Sequence, residues 1–218
     1  MLDRRSFIAM PFVLAACSGG PSTLELVGRT MDTTYSVRVD DHNGRLSQAD
    51  LQKAIDVALQ ETNAALSNWD AGSDVSRFNA AATTDAIAVS QPLYDVARAA
   101  EDIRHASEGR FDVAMGPLLA AWGFGATGTN RATPSDAQIE VAMARTGQGG
   151  AMTFGAGTLQ KAHADQGVFL SAIGKGYGVD RVAAAIRTLG AEDFMVEIGG
   201  DLYAVGRNQD GQPWRIGI

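Results

Sequence analysis

The 218 residues are 45% hydrophobic and 20% charged, which suits one globular domain rather than a disordered or fibrous chain. With a formal charge of −7 and no run of basic residues, the protein repels nucleic acid at long range, so no nucleic-acid partner is expected. A single cysteine, Cys17, rules out an internal disulfide and a thiolate metal site.

The N-terminus, MLDRRSFIAMPFVLAAC, has the order of an export signal: Arg4 and Arg5, an apolar run over 7–16 too short to span a bilayer, then Cys17. DRRSFI resembles a twin-arginine motif, and LAAC resembles a bacterial lipoprotein cleavage box. Residues 1–16 are therefore expected to be a signal peptide and 17–22 a linker lipidated at Cys17. Residues 23–218 then form the folded part, periplasmic and lipid-anchored to the cell-envelope membrane.

Beyond the linker, TLELVGRT and TYSVRV read as β-strands, with Met31 between them, and DDHNG as a turn. Ser47 caps a long amphipathic helix, LQKAIDVALQETNAAL, with Asp50 in its first turn. SNWDAGSDVSRFN reads as a polar loop around Trp69, a residue that suits either a core anchor or a stacking plane for a flat ring. AIAVS predicts a strand, and a helix over 92–107 is closed by Gly109. GRFDVAMGPLLAAWGFG is apolar and punctuated by glycines, and TPSDAQIEVAMART predicts a helix with proline at its start. Short strands are expected at MTF, TLQKA and GVFL.

SAIGKGYG then opens the helix DRVAAAIRTL, ended by Gly190, and FMVEI and DLYAVG are strands on either side of Gly199 and Gly200. PWRIGI reads as a strand leaving the turn NQDG, which suggests a chain cut within its domain. Strands and helices mix without regular βαβ units. The expected class is α+β, helices packed on a mainly antiparallel sheet.

Motifs for several chemistries are missing. His42, His105 and His163 have no zinc-ligand spacing, and no G-x-S-x-G occurs. Lys175 sits between Gly174 and Gly176 at a helix start, where free N–H groups and the dipole favour an anion. Gly-Lys-Gly-Tyr is nevertheless no P-loop, since no Ser or Thr follows the lysine and Phe169 stands where the first glycine belongs.

Taken in order, GRTMDTTYSV, SNWDAGSDVSRFN, GRFDVAMGPLLAAWGFG, FLSAIGKG, VEIGGDLYAVG and PWRIGI resemble the FAD:protein FMN transferases, the ApbE-type flavin transferases formerly described as thiamine-biosynthesis lipoproteins. The resemblance runs over residues 28–218 and implies a T-fold-like architecture. It implies magnesium-dependent cleavage of FAD at its pyrophosphate, with FMN passed to a threonine or serine hydroxyl of a partner flavoprotein. It also implies roles: Met31 packs on the flavin, and Trp69 takes the place of an aromatic lining the FAD site. Arg110, Phe111 and Asp112 match a three-residue FAD-contacting segment. Ala172 matches a magnesium-site position, through its backbone carbonyl, and Lys175 an FAD-contacting one near the diphosphate.

Phe169 stands where the family has an FAD-contacting aspartate. The resemblance further implies that the remaining metal ligands and a flavin-site histidine belong to family sequence past Ile218, so that this chain alone is expected to be inactive. Two other readings fit the sequence. One is a non-catalytic periplasmic FAD-binding lipoprotein; the other is a structural envelope lipoprotein without a ligand.

Overall fold

The computed structural model of the chain describes residues 22–124, 132–147 and 152–217, so the expectations for the signal segment and Cys17 lie outside the described residues. Two strands rich in Thr and Val, β1 (Ser22–Thr30) and β2 (Thr33–Asp41), pair in register from Ser22–Asp41 to Thr30–Thr33. The pairing leaves Met31 and Asp32 as a two-residue connection at φ 48° and 57°. Both residues hold the left-handed conformation that such a turn demands and that glycine or asparagine usually supplies. Two further strands, β6 (Phe194–Ile198) and β7 (Asp201–Val205), complete an antiparallel sheet of order β1-β2-β6-β7.

One face of this sheet is apolar because its strands alternate. Leu26, Tyr35, Val37, Val39, Phe194, Val196 and Ile198 are buried on it. Two helices cover that face, α1 (Gln48–Leu66) and α6 (Gly174–Thr188). Ser47 caps α1 by accepting the Asp50 N–H at 3.3 Å, and Leu51, Ile55 and Leu59 recur every fourth residue to make its buried stripe. From α6 come Val179, Val182 and Ile186. Each such side chain removed from water contributes roughly 1.5–3 kcal/mol, the main term holding helices to sheet. Gly190, at φ 95°, stops α6 as expected.

A second core lies beside the first. It joins the end of α1 to α2 (Asp74–Ala80), α3 (Gln91–Ala106) and a small sheet of order β3-β5-β4, made of β3 (Ile87–Ala88), β4 (Thr153–Phe154) and β5 (Thr158–Gln160). Between α3 and the small sheet's later strands come α4 (Gly116–Ala121) and α5 (Asp136–Met143). Helices on antiparallel sheets make the protein α+β, in agreement with the sequence.

Four local expectations give way. The supposed loop SNWDAGSDVSRFN contains α2, because Ser73 caps it and Val75 and Phe78, three residues apart, both bury. Pro134 does not start α5; it precedes the cap, Ser135, which forms a capping box with Gln138. GVFL joins no sheet, because the Asn68 and Asn79 side chains take its backbone groups. At the C-terminal end, residues 214–217 form no strand: beyond an isolated bridge between Arg207 and Pro213, the Trp214 indole N–H takes the Val205 carbonyl at 2.9 Å.

Candidate functional site

Where the two cores meet, a cavity of about 330 Å³ opens between the β1–β2 connection, the end of α1 and the start of α6. Its apolar lining includes Met31, Leu66, Trp69, Phe169 and Leu170, and its polar lining includes Thr33, Asn63, Ser171 and Lys175. Met31 reaches it because the two-residue turn projects the side chain over α6. Its methyl lies so close to Gly178 that a Cβ there would sit 3.1 Å away. Trp69 stands on the rim, 66% exposed, and meets Phe169 edge to face with centroids 6.4 Å apart and planes at 79°. Also on the lining, Lys175 donates from Nζ to the Gly199 carbonyl at 2.9 Å and keeps two further N–H groups for a ligand. The arrangement suits a flat aromatic molecule carrying an anionic tail.

The structure therefore brings together Met31, Trp69, Phe169 and Lys175, which are scattered over 145 positions of sequence. Arg110, Phe111 and Asp112 are not part of this lining. Arg110 is exposed, with an ion pair to Glu108 at 3.3 Å, and Phe111 packs against the second core. The Asp112 carboxylate accepts the N–H groups of Ala114 at 2.8 Å and Gly147 at 3.0 Å. Val113, next to it, accepts the Phe169 N–H at 2.7 Å, which ties that segment to the cavity wall through the backbone. The lining residues Asn63, Asn68 and Ser171 have no role in the sequence reading, although Asn68 and Ser171 lie inside the motif blocks; their value comes from the contacts of the fold.

Ala172 is exposed and turns away from the cavity, into an adjoining groove of about 520 Å³ that Asp95, Tyr177, Asp180 and Asp201 also line. Burial pushes the Tyr177 phenol up. Among the described residues, no group of three or more His, Cys, Asp or Glu side chains is gathered closely enough to hold a metal ion. Magnesium needs several hard oxygen ligands including carboxylate. The described residues do not meet that need.

Near Asp112, Glu101 is buried beside α3's own Arg104 and His105, at 2.6 and 3.1 Å. The hydrogen bonds from Arg104 hold its carboxyl below the ordinary value of 4.5, although burial opposes them. A depressed carboxylate contributes stability that is present above pH 4.5 and lost as pH falls through its folded-state value. Glu101→Gln is accordingly expected to lower stability at pH 7 by roughly 1–2 kcal/mol, a range reduced because Arg104 is partly exposed. Denaturant titrations from pH 7 to pH 3 should show the deficit shrinking as the wild-type carboxyl protonates. A deficit that stays constant across that range would refute the assignment.

Comparison with known proteins places the chain. The pattern of the ApbE family matches residues 31–218. The FAD:protein FMN transferase of Vibrio cholerae is 37% identical over 211 residues, covering 97% of this chain and 63% of that protein. That of Haemophilus influenzae is 35% identical over 217 residues, covering 97% and 62%. Among solved structures, the flavin transferase ApbE from Vibrio cholerae aligns with a TM-score of 0.86 at 37% identity, over 91% of this chain and 64% of that one. The apo form of Pseudomonas stutzeri flavinyl transferase ApbE aligns with a TM-score of 0.86 at 32% identity, over 92% and 66%. The chain thus spans a little under two thirds of the length of these relatives.

Proposed function

The chain belongs to the ApbE family, and from that membership we propose that it acts as an FAD:protein FMN transferase, with FAD held in the cavity of Met31, Trp69, Phe169 and Lys175. A threonine or serine hydroxyl of an acceptor flavoprotein attacks the FMN-side phosphorus of the diphosphate. A phosphoester forms, the P–O bond to the adenylate breaks, AMP leaves with the electron pair, and the hydroxyl proton is lost.

The observation that carries this reading is the convergence of an aromatic rim, a methionine floor and an ammonium group on one cavity. Trp69 and Met31 would sandwich the isoalloxazine, and Lys175 would offer its free N–H groups to the diphosphate, where charge-assisted bonds are strongest. Magnesium, which the resemblance implies, would neutralise charge developing on the diphosphate when bound. The described residues do not complete a site for it. Arg110, Phe111, Asp112 and the Ala172 carbonyl remain part of the proposal as contacts that this cavity does not include.

Flavin fluorescence titration tests the reading. Lys175→Met should weaken FAD binding about tenfold, from the loss of one charge-assisted contact, and leave riboflavin binding unchanged because riboflavin has no phosphate. Equal losses for both ligands, or no FAD binding by the wild type, would count against it. Transfer of FMN to a threonine-containing acceptor separates a transferase from a protein that only stores FAD.

We also propose that the protein is exported and anchored to the periplasmic side of the envelope by lipid on Cys17. Mass spectrometry of the Cys17 peptide should show cleavage before it and acylation. An unmodified Cys17 in the mature protein would end that proposal.

A further inference from the structure

Residues 167–170 run extended between the two cores without joining a sheet, and side chains do the work of the missing neighbour strand. The Asn79 amide, at the end of α2, donates to the Val168 carbonyl at 2.8 Å and accepts the Val168 N–H at 2.7 Å. Asn68 donates to the same carbonyl at 2.7 Å and accepts the Leu170 N–H at 2.9 Å. Each amide thus meets one donor and one acceptor, which fixes its orientation. Between them the Phe169 N–H points the other way, to Val113, as alternate residues of a strand do.

The consequence for the cavity is direct. Val168 and Leu170 are each 1% exposed, so the segment is anchored inward, while Phe169, Leu170 and Ser171 form the cavity wall. Asn68 is bonded to that wall and is the chain neighbour of Trp69. One amide therefore ties the backbone beside Trp69 to the backbone on both sides of Phe169. Asn68 lines the cavity, and its Nδ2 and Oδ1 each bond to the backbone of the 168–170 segment, whereas Asn79 is not among the lining residues, so an effect of Asn79 on a ligand runs through the segment it holds.

The hold on Asn79 is itself fixed. Lys161, 2% exposed, donates from Nζ to the carbonyls of Asn79 at 3.0 Å and Ala81 at 2.6 Å and lies 5.1 Å from the Phe78 ring centroid. A cation at that helix end satisfies carbonyls that the helix leaves open.

We propose that Asn68 and Asn79 are the positioning residues of the flavin cavity, an amide clamp that sets the Phe169 wall against Trp69. The proposal rests on the flavin reading given above. It is tested in the full chain with Asn68→Asp and Asn79→Asp, which keep an acceptor for the N–H but turn an oxygen towards the Val168 carbonyl. Ile186→Val, a methyl deletion in the other core, serves as the stability control.

Two quantities are read, FAD affinity by fluorescence and hydrogen exchange at the Val168 and Leu170 amides. Both Asp variants should bind FAD roughly tenfold more weakly, the scale of one lost charged or buried hydrogen bond, and exchange faster at those amides. Ile186→Val should lower the melting temperature and change neither quantity. If an Asp variant does not fold, Asn68→Ser, whose single short hydroxyl replaces the separate donor and acceptor of the amide without adding a charge, takes its place with the same expected results. FAD affinity within about twofold of wild type in variants that have lost stability would overturn the proposal, because a purely structural role predicts that result. A wild-type chain that binds no flavin would overturn the flavin reading instead. The clamp is then decided by exchange alone, and unchanged protection of Val168 and Leu170 in the variants would overturn it.

Discussion

Replacing Trp69 with alanine should weaken FAD binding by on the order of 1–3 kcal/mol, about 5- to 150-fold, and hardly move the melting temperature. The two halves of that expectation have one cause. Trp69 is 66% exposed, so little of its apolar area is withdrawn from water in the folded protein without ligand. Its contact with Phe169 is edge to face at 6.4 Å, worth at most about 1.5 kcal/mol and partly open to solvent. The indole plane gains its burial only when a flat ligand enters between rim and floor. Trp69→Phe keeps a stacking plane and should retain most of the affinity. Isothermal titration and a thermal melt on the same sample decide the matter. A large fall in melting temperature with unchanged FAD affinity would instead make Trp69 a packing residue.

Gly199→Ala should cost stability on the order of 2–4 kcal/mol, combining left-handed backbone strain with overpacking, and should weaken FAD binding as well. Gly199 and Gly200 form the two-residue turn from β6 to β7 at φ 54° and 97°. A Cβ on Gly199 would stand 2.7 Å from Thr33 Cγ2 and 3.3 Å from Lys175 Cδ, both on cavity-lining side chains. Its carbonyl also holds the Lys175 ammonium, so any shift of the turn moves that group. Gly200 offers the control: a Cβ there meets nothing within 4 Å, so Gly200→Ala should show backbone strain alone, about 1–2 kcal/mol. Urea unfolding of the pair measures the difference. If Gly199→Ala is no less stable than Gly200→Ala and binds FAD normally, the close approach to Lys175 has no energetic weight.

Much of the architecture was legible in the residues. The alternation of TLELVGRT and FMVEI, the Ser47 cap with its four-residue stripe, and the stop at Gly190 are signals confined to a few neighbouring positions, and each formed the element it predicts. The order of the motif blocks pointed to the ApbE family, and the family pattern matches residues 31–218. The short α2 has no periodic signal in the sequence because its apolar residues, Val75 and Phe78, are too few to show a period; burial against the second core is what makes them count.

Other features had no local signal at all. GVFL has the composition of a strand, yet its backbone is satisfied by Asn68 and Asn79, which lie 102 and 89 residues before the positions they bind. The same holds for the site. The family resemblance points to Met31, Trp69, Phe169 and Lys175 together with Arg110, Phe111, Asp112 and Ala172, but it does not say which share a wall. The first four line one cavity; Asp112 caps backbone N–H groups elsewhere, and Ala172 faces the neighbouring groove. Secondary structure follows from interactions within about one helical turn or one strand pair, so the sequence by itself determined the elements and the family. Which side chains face the same cavity depends on packing between segments far apart in the chain, and only burial of the two cores against each other decided that.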